Sequence, residues 1–306
     1  MELWFKTYRE TKGDRKSPLV FDFSEPENLE VGPALYEAVN AVNRICEVHE
    51  GPYTLLVSGG VDSQAMIYAW KKSGKPFSVV HYSYGDNVED GITLEAFCMA
   101  WGIDYQVRNF DVEQFITSDE YKQMAIKYDC ASPHILTYMK LASFHDETVI
   151  MGGNYLSTFS TSLNWTILGL DRYRAISKHN FVPFFLCSTP GLSYAFYKSE
   201  IDLQLRYRDH VPIALGRDVG YNTKVKAYEF AGFPVIKQSK KLTGFEAIKE
   251  RYDSCKIDRT TKMRWANMPS KRPFDVIFRY GLFDVLPFGF YSEKNTIIHN
   301  NWINRL

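Results

Sequence analysis

Tyr53-Thr54-Leu55-Leu56-Val57-Ser58-Gly59-Gly60-Val61-Asp62-Ser63 is an apolar, β-type run that ends in Ser-Gly-Gly-Val-Asp-Ser and passes at once into a helical pattern. Two adjacent glycines let the backbone turn sharply and approach an anion without a Cβ in the way. A helix that begins near Asp62 aims its unpaired N–H groups and the positive end of its dipole at that turn. Phosphate suits such a place. Ser58 and Ser63 add hydroxyl donors, while Asp62 is unsuited to phosphate and suited to Mg²⁺ bridging the same phosphates. No lysine follows Gly60, which excludes the Gly-x-x-x-x-Gly-Lys-Ser/Thr loop. The stretch predicts a site for a nucleotide with magnesium.

Outward from this loop, the chain alternates between β and α patterns. The first strand ends at Val57, and a helix from Asp62 carries Ala65, Met66, Ala69 and Trp70 before stopping at Ser73-Gly74-Lys75-Pro76. Phe77–Tyr82 reads as a second strand, Ile92–Trp101 as a second helix ended by Gly102, and Tyr105–Val107 as a third strand. Helix and loop follow from Val112 to Phe144, and Thr148–Met151 is an apolar strand that runs into Gly152-Gly153-Asn154. Strands separated by helix-length crossovers predict an α/β fold, a doubly wound parallel sheet covered on both faces. Ligands in such sheets sit outside the carboxyl ends of the strands, where both glycine loops fall. By local sequence alone the second loop reads equally well as an ordinary glycine turn. Before the first strand, residues 1 to about 30 read as short strands around a charged turn, Lys12-Gly13-Asp14-Arg15-Lys16. A helix then follows Pro33, with Leu35, Ala38, Val39, Val42, Ile45 and Cys46 on one face.

Ser-Gly-Gly-x-Asp-Ser after a buried strand resembles the signature of the PP-loop, or N-type, ATP pyrophosphatases. That family includes asparagine synthetase, GMP synthetase, NAD synthetase, deazaguanine nitrile synthases and several tRNA thiolases. The resemblance implies a sheet of the adenine nucleotide alpha hydrolase (HUP) type over residues 51–235, with an N-terminal extension over 1–50 and a mainly helical C-terminal region over 236–306. It implies ATP and Mg²⁺ as cofactors, with Val57, Ser58, Gly59, Gly60, Val61, Asp62 and Ser63 at the nucleotide and Asp62 on the metal. It implies that Gly152, Gly153 and Asn154 line the nucleotide and that backbone groups of Tyr82 and Ser83 recognise adenine. Glu89 and Asp90 read better as the favoured negative charges of a helix N-terminus.

Farther on, Asn180-Phe181-Val182-Pro183-Phe184-Phe185, Thr223-Lys224-Val225-Lys226-Ala227-Tyr228, Pro234-Val235-Ile236 and Lys240-Lys241-Leu242-Thr243-Gly244-Phe245 resemble, in order, the end of an asparagine synthetase-type synthetase domain. By that resemblance Lys224 or Lys226 contacts phosphate and offsets charge as pyrophosphate leaves; the alternative is a solvated helix face. Lys237, Lys240 and Lys241 bind pyrophosphate or form an exposed basic turn. Departures from the family narrow the acceptor. Too few residues precede the loop for a glutaminase domain, the acidic loop of asparagine synthetases is replaced by Gly152-Gly153-Asn154-Tyr155, and no zinc-binding cysteine cluster follows Cys255. Sulfur transfer needs a persulfide carrier, for which the candidates are Cys130 and Cys187; a lone cysteine is more often a small buried apolar residue.

Composition sets the outer limits. The 306 residues balance to a formal charge of zero, so no global field recruits nucleic acid or an acidic membrane. Five scattered cysteines without a Cys-x-x-Cys pair predict reduced thiols and a cytoplasmic setting. Met1-Glu2-Leu3-Trp4 turns polar too soon for a signal peptide, and no apolar run has the length of a membrane span. Residues 237–272 are locally basic with Phe245, Tyr252 and Trp265 interleaved, a composition that fits nucleic acid or an ordinary solvated helix pair. The Phe- and Tyr-rich tail from Pro273 packs back on the domain or forms a homodimer surface. Three functions are consistent with these features. They are an ATP-dependent adenylating ligase with a nitrogen nucleophile and an unidentified acceptor, a tRNA- or DNA-base-modifying sulfurtransferase or amidotransferase, and a non-enzymatic nucleotide-binding regulator.

Overall fold

Alternation along Tyr53–Val57 decides how the molecule is layered, because successive side chains of a strand point to opposite faces. The computed structural model describes residues 5–7, 19–21, 31–128, 133–153, 180–196, 199, 217–239, 244, 245 and 247. Phe5–Thr7 (β1) and Leu19–Phe21 (β2) pair antiparallel as a separate two-stranded sheet. Tyr53–Val57 (β3), Ser78–Ser83 (β4), Gln106–Asn109 (β5), Thr148–Met151 (β6) and Phe181–Val182 (β7) form one parallel sheet in the order β5-β4-β3-β6-β7. The helices are Ala34–Val48 (α1), Val61–Ser73 (α2), Val88–Trp101 (α3), Val112–Thr117 (α4), Asp119–Tyr128 (α5), Pro133–Ala142 (α6) and Arg217–Phe230 (α7).

Leu55, Val57, Val79, Ile150 and Val182 face one core, shared with Ala38 and Ile45 of α1, Ala65 and Ile67 of α2, Phe97 of α3 and Tyr228 of α7. Leu56, Val80, Val149, Met151 and Phe181 face the other, shared with Phe115 of α4, Tyr121 of α5 and Leu136 and Met139 of α6. The sheet is therefore doubly wound, as the β/α alternation predicts, and β3 is buried along its whole length because it is both central and covered twice. α2 is likewise buried from Ser63 through Trp70, being pressed between sheet and neighbouring helices. α2 and α3 both end on a left-handed glycine, Gly74 and Gly102.

Two boundaries differ from the pattern reading by more than one residue. α3 begins at Val88, a turn ahead of Ile92, because Asn87 organises the turn before it. Its Nδ2 donates to the Tyr82 carbonyl at 2.8 Å and its Oδ1 accepts from the Tyr84 N–H at 3.0 Å. Glu89 and Asp90 then occupy the first helical turn, where negative charge is favoured. β5 runs two residues past Val107; all four of its residues are exposed on the sheet edge, so no apolar alternation marks its end. The turn at 12–16, Cys130, Asn154, Lys240, Lys241 and residues 248–306 lie outside the described residues. Among the described residues no helix is long and apolar enough to cross a membrane.

Candidate functional site

The strand order reverses between β3 and β6, since β4 and β5 extend the sheet on one side of β3 and β6 and β7 on the other. A crevice at that reversal is where open α/β sheets take ligands. The Ser58–Gly60 loop leaves β3 there, and Gly152 leaves β6 beside it. The backbones meet closely: a Cβ on Gly152 would lie 3.2 Å from the Asp62 carbonyl oxygen and 3.5 Å from the Ser63 nitrogen. Gly152 also accepts from the Leu186 N–H at 3.0 Å, and Gly153 rests against Phe184, so the segment after β7 supports the second loop.

Within the first loop the two glycines differ. Gly59 has φ +87°, and a Cβ on it would lie 2.0 Å from the Asp90 carbonyl oxygen at the start of α3. The fold itself requires that glycine. Gly60 caps α2 with φ −66°, and a Cβ there would meet only Ser58 Oγ, at 3.5 Å. Among the described residues no contact excludes a side chain at Gly60. A Cβ there would point into the space in front of the first turn of α2, and Gly60 as N-cap supplies that turn with no side-chain cap. Ser63 Oγ accepts from the Ser58 N–H at 3.1 Å and lies 3.2 Å from Ser58 Oγ. Whichever hydroxyl donates to the other, the second keeps its proton for an outside acceptor.

Asp62 stands in the first turn of α2 and brings in α7. Its Oδ2 accepts from Lys224 Nζ at 2.6 Å and its Oδ1 from the Tyr228 hydroxyl at 2.5 Å. Lys224 and Tyr228 are four residues apart and share a helix face. The Tyr228 ring is wholly buried against Phe196 and Phe233, at centroid distances of 5.3 and 5.9 Å, so only its hydroxyl reaches the site. Lys226 is exposed and has no bond to Asp62. The spacing Lys224-x-x-x-Tyr228 was the available signal for the tyrosine, and sequence reasoning passed over it. A carboxylate has about four lone-pair sites, so Asp62 retains acceptor capacity beyond these two donors. That remaining capacity is what a Mg²⁺ ion would need from Asp62 if phosphate were bound at this loop.

Gln64, next to the loop and fully buried, was also passed over. Its Nε2 donates to the Gly59 carbonyl at 2.8 Å and to the Ile236 carbonyl at 3.0 Å, and its Oε1 accepts from the Ile236 N–H at 2.6 Å. The segment after α7 continues to α3, where Gln238 donates to Asp90 and Ser239 to Glu89. Lys237, between Ile236 and Gln238, is exposed. Gly244 packs on Tyr84 and Asp86, and the Phe245 ring lies 5.6 Å from that of Tyr84 and 4.8 Å from that of His134.

Tyr82 and Ser83 lie one and two residues past His81, the partner of Val57 in β4. The Tyr82 carbonyl accepts from Asn87, and the Ser83 carbonyl accepts from the Phe110 N–H at 2.9 Å. The Tyr82 ring turns into the second core and its hydroxyl meets His145 Nε2 at 3.1 Å. Burial raises the Tyr82 hydroxyl and lowers His145 from their ordinary values. Burial also lowers His81, whose Nδ1 lies 3.0 Å from the Val57 carbonyl, and pushes His134 down to about 4. These histidines stand neutral at pH 7. Cys187 is fully buried, and burial pushes the Cys98 thiol up to about 11; neither is placed or poised to present a thiolate to solvent.

No protein-family model matches the chain, and no curated protein matches it. Among solved structures, the NMN synthetase from Francisella tularensis is similar at 15% identity and a TM-score of 0.33, over 76% of this chain and 94% of that one. The NH3-dependent NAD synthetase from Campylobacter jejuni subsp. jejuni NCTC 11168, in complex with the nitrate ion, is similar at 14% identity and a TM-score of 0.29, over 68% of this chain and 97% of that one.

Proposed function

We propose that this chain is an adenylating ligase of the PP-loop ATP pyrophosphatase class, nearest in motif order to asparagine synthetase-like synthetase domains. It cleaves ATP to AMP and pyrophosphate and activates a carboxylate or carbonyl oxygen for attack by a nitrogen nucleophile. The observation that carries this reading is Gly60: a helix N-cap with ordinary φ and, among the described residues, room for a Cβ, whose missing side chain leaves the first turn of α2 without a cap from that position and accessible to an anion.

The chemistry follows from where the charges stand. With the outer phosphates at the loop, the acceptor oxygen forms its bond to the α-phosphorus while the bond to the α–β bridging oxygen breaks. Pyrophosphate leaves with both electrons of that bond. The nitrogen nucleophile then forms its bond to the activated carbon and gives up a proton to water, while the carbon–oxygen bond breaks and AMP departs with the acceptor oxygen. Asp62 would hold magnesium, which would supply neutralisation of the phosphate charge. Lys224 stands 2.6 Å from Asp62 and supplies a fixed cation for the leaving pyrophosphate. The Tyr228 hydroxyl fixes the other carboxylate oxygen, so Asp62 is oriented before ligand arrives. The remaining proton of the Ser58–Ser63 hydroxyl pair donates to a phosphate oxygen. Such catalysis is positioning and charge stabilisation, and it makes no demand on a histidine base.

Incubation with ATP, Mg²⁺ and a metabolite extract tests the proposal. AMP and pyrophosphate should form in equal amounts while mass spectrometry shows one acceptor consumed. ADP and phosphate as products would sink it, and so would ATP binding with no acceptor-dependent turnover.

A further inference from the structure

We propose that Gln64 is a positioning residue that makes residues 233–239 a working part of the phosphate loop. The inference rests on the anion-binding reading of Ser58–Ser63. One buried amide holds the carbonyl of Gly59, the left-handed residue of the loop, and both backbone groups of Ile236, 172 residues away in the chain. Both functional groups of the side chain are consumed in this bracket: Nε2 spends its two N–H donors on two carbonyls, and Oε1 takes an amide. Ile236 is gripped as a strand neighbour would grip it, through N–H and C=O together.

Two further bonds make the segment a strap. Gln238 donates to buried Asp90, and Ser239 donates to Glu89 at 2.6 Å. Asp90 is also the residue whose carbonyl excludes a Cβ at Gly59. Gly59 is thus held from two sides, by the Gln64 amide on its carbonyl and by the Asp90 backbone against its Cα, and the strap touches both holders. An anion that orders the loop tightens Gly59 against this frame and slows opening of the strap. Loosening the strap loosens the loop in return, because coupling between two sites is reciprocal. Lys237, exposed between Ile236 and Gln238, is carried at a set place beside the loop by the same bracket.

Amide hydrogen exchange on the full chain, with and without inorganic pyrophosphate and Mg²⁺, tests the inference. In the unmodified protein, pyrophosphate should slow exchange of the Ile236 amide severalfold. Gln64→Met keeps volume and removes all three bonds. Its Ile236 amide should exchange about 10-fold faster, pyrophosphate should bind about 10-fold more weakly, and ligand should no longer slow exchange over 235–239. Gln64→Glu keeps the acceptor for the Ile236 N–H and at most one donor for the two carbonyls, because burial between them favours its protonated form. It should retain most of the Ile236 protection while the response to pyrophosphate falls, a split that a merely structural role does not produce. Gln64→Met with unmodified Ile236 exchange, or with an intact response to pyrophosphate, would overturn the inference. Should both variants fail to fold, the unmodified protein still decides. Pyrophosphate bound without any change at Ile236 overturns the coupling alone, whereas failure to bind pyrophosphate overturns the anion reading of the loop and the coupling with it.

Discussion

Replacing Gly59 with alanine separates the part of the loop that serves the fold from the part that serves a ligand. At φ +87° an L-residue costs about 1–2 kcal/mol in backbone strain. The new Cβ would also stand 2.0 Å from the Asp90 carbonyl oxygen and 2.8 Å from its carbon, both backbone atoms with no rotamer to escape into. Reaching a tolerable contact demands a relative shift of about 1 Å between the loop and the first turn of α3, a typical overpacking cost of about 1–3 kcal/mol. Gly74→Ala is the internal standard. That residue has φ +70° with nothing within 4 Å of the added carbon, so it meets the same kind of strain without the clash. The reduction in unfolded-chain entropy is common to both substitutions and cancels in their difference. Urea unfolding at equal slope should place Gly59→Ala about 1–3 kcal/mol below Gly74→Ala. The loop shift should also weaken pyrophosphate binding in Gly59→Ala alone. Equal midpoints for the two variants would refute the claim that Gly59 is required by its neighbour at Asp90.

Gly60→Ala should behave in the opposite way, losing about 0.5–1 kcal/mol as a poorer helix cap while pyrophosphate affinity, read by calorimetry, falls about 10-fold or more; unchanged affinity would argue against an anion at the start of α2. Lys224→Met should cut pyrophosphate release from ATP about 10- to 100-fold, with Lys226→Met within about twofold of the unmodified protein, and the reverse ranking would move the cationic role to the exposed residue. Asp62→Asn should reduce turnover by about 100-fold or more through loss of the metal ligand; full turnover in that variant would remove the proposed magnesium role. Stability should decline on acidification. His134 titrates near 6.5 in the unfolded chain and at about 4 in the folded one, so between those values only the unfolded chain takes the proton. Stability is then highest above pH 6.5 and falls by about 2–3 kcal/mol toward pH 4 from this residue. Urea midpoints of His134→Gln should show a shallower loss over that window, and an identical slope would contradict the assignment.

The parallel sheet was legible because each of its central strands carries its own signal. Tyr53–Val57 and Thr148–Met151 are mainly apolar runs that lead into glycine loops, as strands covered on both faces do. The edge strand β5 was less legible for the same reason in reverse: Gln106–Asn109 is exposed throughout, so burial imposed no pattern on it. α3 began earlier than its apolar residues because a side chain, Asn87, built the turn through bonds to Tyr82 and Tyr84 that no periodicity encodes. At the site, Ser58 to Ser63 could be read from a strand, two glycines and a helix start. Tyr228 was marked only by its four-residue spacing from Lys224, and Gln64 by nothing local, since each acts across 166 or 172 residues of chain and looks locally like a core aromatic or a helical polar residue. Their roles come from what the fold sets against them.

The glycine pair shows how one local feature can hold two physical demands. Read as sequence, Gly59 and Gly60 are interchangeable: both spare the turn a Cβ. In the folded chain they diverge, because Gly59 takes a left-handed conformation against the Asp90 backbone, whereas Gly60 takes an ordinary one where, among the described residues, a Cβ would meet only Ser58 Oγ at ordinary contact distance. Gly59 therefore ties the loop to α3, and α3 in turn holds the segment after α7 through Glu89 and Asp90. Gln64 closes that circuit by returning from the segment to Gly59. In the proposed reaction, a loop anchored in this way would not reorganise as charge develops on the leaving pyrophosphate, the condition under which fixed N–H groups and a fixed lysine are most effective. Gly60, outside the circuit, is the point where the proposed anion would meet the backbone. Rigidity at Gly59 and access at Gly60 are thus distinct demands, and the alanine variants weigh them differently: Gly59→Ala loses stability first, with binding following from the loop shift, whereas Gly60→Ala loses mainly binding.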